Sequence, residues 1–183
     1  FIFFDIDHFM SINTNFGHAA GDQVLLRIAV LTQKFLGDAA MVGRFGGDEF
    51  AALLPNTPRE EALLMMDALR REIYQQLQPW LSETASVRVA EPISISIGIA
   101  SCPEDGCTEY ELMRKASEAL YRAKVEGRNQ IRLARVENMS TKTTHYTNSQ
   151  LERLSILSEK LSISEAELLR EAMDDLLLKY EFN

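Results

Sequence analysis

The chain has only two cysteines in 183 residues, Cys102 and Cys107, both within Cys102-Pro103-Glu104-Asp105-Gly106-Cys107. Two thiols cannot build the disulfide framework of a small secreted domain, so a pair of free thiols in a cytoplasmic protein is expected. No apolar run approaches the roughly 20 residues that a membrane-spanning helix needs. The opening Phe1-Ile2-Phe3-Phe4 is too short for a signal peptide and lacks a basic flank, and its start inside an apolar run predicts further chain upstream. Positive charge is scarce, with 19 Lys and Arg against 27 Asp and Glu and a formal net charge of -8. That balance excludes general adhesion to nucleic acid or anionic lipid, but a local phosphate site assisted by metal ions is compatible with it. Repeats of solenoid period are absent.

What is present is 46% hydrophobic sequence, enough for a core of ordinary size. Phe1 to Ile6 reads as a buried strand. His18 to Leu36 reads as a helix, with Val24, Leu25, Ile28, Leu31, Phe35 and Leu36 at helical spacing. Met41 to Phe45 and Glu49 to Leu54 read as a hairpin around a Gly-rich turn. Thr57-Pro58-Arg59-Glu60 carries the signature of a helix start, and a helix to about Gln78 follows. Ile93 to Ile99 alternates isoleucine with Ser or Gly, as a half-buried strand would. Thr108 and Glu111 predict a capping box before a helix that Gly127 ends, with Asn129 to Arg135 as a final strand. The order predicts an α+β fold, an antiparallel-rich sheet with helices packed on one face.

The topology draws carboxylates together. Asp5 and Asp7 fall at the end of the first strand, and Asp48 and Glu49 in the turn after the second, which runs parallel to it, so four acids are expected at one corner. Turns attract acids merely because they are solvated. Four at one corner would nonetheless repel one another without a cation, and oxygen ligands of this kind suit Mg²⁺ or Mn²⁺. Gly46-Gly47 would let backbone N–H groups approach a phosphate, or would simply make a tight turn.

Gly46-Gly47-Asp48-Glu49-Phe50 matches the GGDEF signature, and it is accompanied by Asp5-Ile6-Asp7-His8-Phe9, Asn13, Phe16-Gly17-His18, Gly21-Asp22, Ser96-Ile97-Gly98 and Lys124 to Asn129. Residues 1–136 therefore resemble a GGDEF diguanylate cyclase domain. The resemblance implies a palm-like, ferredoxin-like sheet related to nucleotide cyclases and polymerases, one GTP per domain, and a homodimer that condenses two GTP into cyclic di-GMP. It makes Asp5, the Ile6 carbonyl and Asp48 ligands of two Mg²⁺ or Mn²⁺ ions per GTP site. Glu49 becomes a further ligand or the proton acceptor. Asn13 and Asp22 would bind the guanine edge, and Gly46, Gly47, Lys124 and Arg128 the phosphates.

Four departures from the family stand out. Met10 occupies the position of a phosphate-binding lysine, and Thr14 that of a common aspartate. Gly37-Asp38-Ala39-Ala40 replaces the Arg-x-x-Asp motif that binds product, so feedback inhibition is expected to be absent. The helix and the Asp-x-Leu-Thr segment that usually precede the first strand are not in the sequence. Met10 motivates a second reading, a weak or inactive sensor of GTP or cyclic dinucleotide that regulates transcription.

After Val136 the composition changes: 137–142 reads as a linker and 143–183 as a second module. Leu151, Leu154, Leu157 and Leu161 share one helical face, and Ser164 with Glu167 predicts a cap for a second helix. This segment resembles a ribbon-helix-helix module, in which two chains pair strands into a ribbon that reads DNA. Lys142, Thr144 and Tyr146, or instead Thr143, His145 and Thr147, would face the bases. His145 is read as a polar strand residue. From Thr141 to Asn183 there are five basic and eight acidic residues. That balance is unfavourable for phosphate contact, so dimerisation without DNA is the other expectation.

Overall fold

The structure is a computed structural model and describes residues 1–85, 93–135 and 142–181. The chain divides into two compact units, Phe1–Glu137 and Asn138–Asn183.

In the first unit, β1 (Ile2–Ile6) is the central strand of a five-stranded sheet. Its neighbours are β3 (Glu49–Leu53) and β4 (Ile95–Ile99), both antiparallel to it. Beyond them, β2 (Met41–Gly46) forms one edge, antiparallel to β3, and β5 (Ile131–Leu133) the other, parallel to β4. Thus β1 and β2 point the same way with β3 between them, and the end of β1 meets the β2–β3 turn.

The helices are α1 (Phe9–Phe16), α2 (His18–Leu36), α3 (Arg59–Ala85) and α4 (Glu109–Val125). Residues of α2 and α3, such as Val24, Ile28, Met66 and Ile73, share one core with Ile2, Phe4, Ile6, Phe50 and the isoleucines of β4. Phe4 and Phe50, opposite one another across β1 and β3, stack at 5.1 Å. The expectation of helices on one face is corrected here. α4 lies on the other face, where Ala116 and Leu120 meet Phe3 and Ala100. β4 is consequently buried on both faces, not half-buried. The cause is Gly98: a Cβ there would strike the Ala116 carbonyl and the Leu120 N–H, so the strand's small face is where α4 seats.

Local chemistry accounts for most element ends. The Thr108–Glu111 capping box is formed, with the Glu111 N–H donating to Thr108 Oγ at 3.2 Å. α3 starts at Arg59 and runs seven residues past the expected Gln78, while β5 is shorter than Asn129 to Arg135. α1 escaped the sequence reading. It is eight residues long, and its N-cap, His8, takes a left-handed φ of 57° without a side-chain cap.

In the second unit, residues 142–147 are exposed and precede α5 (Asn148–Leu161) and α6 (Glu165–Glu181). Thr147 and Gln150 form a capping box unforeseen from the sequence, and the Glu167 N–H bonds Ser164 Oγ at 3.3 Å as expected. The linker expected at 137–142 lies, apart from Lys142, outside the described residues. Both cysteines are free and exposed, and among the described residues no helix is long and apolar enough to cross a membrane.

Candidate active site

The site forms where β1 ends. Register places Asp5 opposite Glu49, and the Ile6 N–H donates to the Asp48 carbonyl at 3.3 Å. Asp5 is 4% exposed, and its carboxyl is pushed up to about 7. Burial is the main cause. The Lys124 ammonium, 2.9 Å from Asp5 Oδ2, opposes it, while the charges of Asp48 and Glu49 add to it. Asp5, Asp48 and Glu49 thus share one electrostatic corner, as the sequence predicts.

Asp7 is the exception, and the four-acid corner becomes three. It is buried, but its oxygens accept from Ser94 Oγ at 2.6 Å, Ser96 Oγ at 2.7 Å and the Asn129 N–H at 3.0 Å. With its lone pairs engaged, Asp7 fastens β4 and the α4–β5 turn to β1. Spacing alone could not separate these roles, because i and i+2 residues of a strand share a face.

Buried carboxylate oxygens and a strand-end carbonyl suit a hard divalent cation. Among the described residues no three acidic, His or Cys side chains stand close enough together to ligate one ion, and Lys124 supplies the positive charge at Asp5. Lys124 therefore sits beside a carboxylate, whereas the sequence reading gives it to phosphate. Lys124 lies in the last turn of α4, where the helix dipole favours cations, and Arg128 is exposed in the turn that follows the helix.

Asn13 of α1 lies against Gly21, the residue that precedes Asp22 on α2. A Cβ at Gly21 would collide with Asn13 Oδ1, so α1 seats against α2 only because that atom is missing. Asp22 opens onto a groove of about 550 Å³ that runs along α2 past Leu25, Ala29 and Gln33, walled by Val42 and Arg44. The sequence reading missed this groove. Exposed Leu26 and Val30, one turn apart on α2, were the available signal. In the hairpin, Arg44 Nε donates to the Gly47 carbonyl at 2.7 Å, and Gly47 takes a φ of 49°. Met10 is 80% exposed, and the Thr14 hydroxyl donates to its carbonyl at 2.9 Å.

Lys142, Thr144 and Tyr146 are all exposed, as are Thr143, His145 and Thr147. The structure does not separate the two expected faces.

Comparison with known proteins agrees with this arrangement. Residues 1–130 match the family described as diguanylate cyclase, GGDEF domain, and residues 141–181 match the ribbon-helix-helix domain. The probable diguanylate cyclase DgcF of Escherichia coli (strain K12) is 38% identical over 125 residues, covering 68% of this chain and 39% of the relative. Diguanylate cyclase DgcP of Pseudomonas aeruginosa is 37% identical over 131 residues, covering 71% and 18%. The chain thus spans less than half the length of these relatives. Among solved structures, the GGDEF domain of PA1120 (YfiN or TpbB) from Pseudomonas aeruginosa aligns with a TM-score of 0.65 at 36% identity, covering 74% of this chain and 81% of that one. The active GGEEF domain of a diguanylate cyclase from Vibrio cholerae aligns with a TM-score of 0.66 at 33% identity, covering 74% and 82%. With a matching sheet, a matching signature and relatives above 30% identity, the chain belongs to the GGDEF family of diguanylate cyclases.

Proposed function

We propose that the chain is a cytoplasmic diguanylate cyclase that condenses two GTP molecules into cyclic di-GMP and two pyrophosphates. The observation that carries this reading is the desolvated Asp5 carboxyl held against Asp48, Glu49 and the signature hairpin. Asp5, the Ile6 carbonyl, Asp48 and Glu49 would hold Mg²⁺ or Mn²⁺, two ions per GTP. Such ions lower the pKa of an attacking hydroxyl and neutralise charge on phosphoryl oxygens.

The chain itself contributes positioning. Asp22 accepts hydrogen bonds from the ring N–H and exocyclic amine of guanine, which selects it over adenine, and Asn13 completes that edge. Lys124 and Arg128 hold the triphosphate, with Lys124 leaving Asp5 for phosphate oxygens, while the Gly46–Gly47 backbone approaches the same group. The 3′-hydroxyl of one GTP attacks the α-phosphorus of the other and pyrophosphate leaves. Glu49 serves as ligand or as proton acceptor. Since each domain binds one nucleotide, two domains meet face to face.

Incubating the protein with GTP and Mg²⁺ and resolving products by mass tests the reading. Cyclic di-GMP is expected, and its absence at every protein concentration would leave the sensor function that Met10 motivates, with its exposed thioether in place of a cation.

Residues 143–183 we assign to dimerisation and, with the adjoining Lys142 beside Thr144 and Tyr146, or through the alternate face, to double-stranded DNA. Selection from genomic DNA at low salt checks the second part; failure to enrich any sequence leaves dimerisation alone.

A further inference from the structure

We propose that Arg70 of α3, remote from the signature, is a positioning residue for triphosphate binding that acts through Asn129 on the turn carrying Arg128. This rests on the cyclase reading above.

The Arg70 guanidinium is divided between two partners. Nε and Nη2 donate to Asp67 Oδ1 at 3.1 and 2.8 Å, which fixes the plane of the fork. Nη1 donates to both acceptors of Asn129, the carbonyl at 3.0 Å and Oδ1 at 2.7 Å. From the opposite direction, the Asn129 N–H donates to Asp7 Oδ2 at 3.0 Å. Asn129 is therefore gripped by α3 on one side and by the end of β1 on the other, and Arg70 is only 17% exposed.

The grip falls on a strained turn. Arg128 and Asn129 are consecutive non-glycine residues at φ of 59° and 46°. Residues in this region persist only where their surroundings over-determine them. The surroundings here are Arg70, Asp7 and the Arg128 N–H bonded to the Ala123 carbonyl at 2.9 Å. Nothing in this set is a phosphate ligand, yet it sets the direction in which the Arg128 side chain leaves the backbone. Asp7 is the first residue past the end of β1, two residues beyond Asp5, so the clamp also fixes the cationic turn relative to the Asp5 carboxylate. Removing Arg70 should loosen the turn while leaving Asp5, Asp48 and Glu49 in place.

A double-mutant cycle with Arg128 tests this, using the full chain. Arg70→Gln is expected to raise the KM for GTP about tenfold with kcat within about twofold, as lost orientation of a binding group does. Because Arg70 acts through Arg128, adding Arg70→Gln to Arg128→Ala should change KM little further. In the nucleotide-free protein, hydrogen exchange at the Asn129 amide should quicken in Arg70→Gln. An unshifted KM, a fall in kcat alone, multiplicative effects in the double variant or unchanged exchange at Asn129 each overturns the proposal. Should Arg70→Gln not fold, Asn129→Gly serves. It keeps the left-handed turn and the N–H to Asp7 but removes Oδ1, and an unchanged KM there overturns the proposal equally. Wild-type protein that neither binds nor converts GTP defeats the cyclase reading itself. Wild-type turnover with an unshifted variant defeats only the clamp.

Discussion

At the scale of residues, Asp5 joins the chemistry of the site to the stability of the fold. Its carboxyl, at about 7, binds a proton more tightly folded than unfolded, where the ordinary value is 3.8. The contribution of Asp5 to stability should therefore be greatest below pH 4, fall as pH rises from about 4 to about 7, and level off above, against the opposite trend of Asp67, Glu111 and Glu126, whose carboxyls are held down. The full span at 1.36 kcal/mol per pH unit is about 4 kcal/mol. Chemical denaturation in chelator across this range should show the slope, and Asp5→Asn should flatten it and raise stability at pH 8. A difference between wild type and Asp5→Asn that does not change between pH 4 and 7 would contradict the desolvation of Asp5. At the nucleotide edge, Asp22→Ala should raise the KM for GTP by about tenfold or more, since it strands two donors of a bound guanine, and steady-state kinetics reads this directly.

At the scale of elements, the least tolerant contact is that of β4 with α4. Gly98→Ala would drive a methyl into the backbone of α4, and overpacking of this kind typically costs about 1–3 kcal/mol. The loss should appear in the denaturation midpoint. Thr108→Ala should cost about 1 kcal/mol by removing the cap of the same helix. The contrast between strands and helices explains what was legible in the sequence. α2 has the bounds read from its periodicity, because Gly17 and Gly37 punctuate it. α1 was illegible, being short and without a side-chain cap. The small face of β4 was misread as exposed, since Ser94, Ser96 and Gly98 look the same in sequence whether water or a helix lies over them. Asp5, Asp48 and Glu49 were readable from topology. The role of Asp7 was not, because its partners lie nearly ninety residues further on. At the end of α2, Gly37 caps the helix and Ala40 is buried, at the two positions where the family resemblance leads one to expect Arg and Asp. Cyclic di-GMP should accordingly inhibit turnover only weakly, and a low-micromolar inhibition constant in a product-titration assay would contradict this.

At the scale of the whole molecule, the second unit exposes apolar surface that a pair of short helices cannot bury alone. Ile156 is 61% exposed on α5, and Met173 and Leu176 about half exposed on α6. If these faces pair two chains, Ile156→Glu combined with Leu176→Glu should shift sedimentation from dimer to monomer. Specific activity should then rise steeply with protein concentration, because the cyclase reaction needs two domains. An unchanged sedimentation coefficient would place the dimer contact elsewhere.

The central position of β1 has a consequence for biogenesis. The strand that holds Asp5 pairs with β4 between Phe4 and Ile97, and the Phe1 nitrogen donates to the Ala100 carbonyl, 99 residues away. A ribosome adding roughly 5–20 residues per second completes the partner of this strand many seconds after β1 itself has emerged. During that interval Ile2, Phe4 and Ile6 have α2, α3 and β3 for company, but the sheet remains open on the β4 side of β1, at its middle. The nascent chain is thus sticky early and competent late, and the corner of Asp5, Asp48 and Glu49 is not complete before the sheet closes.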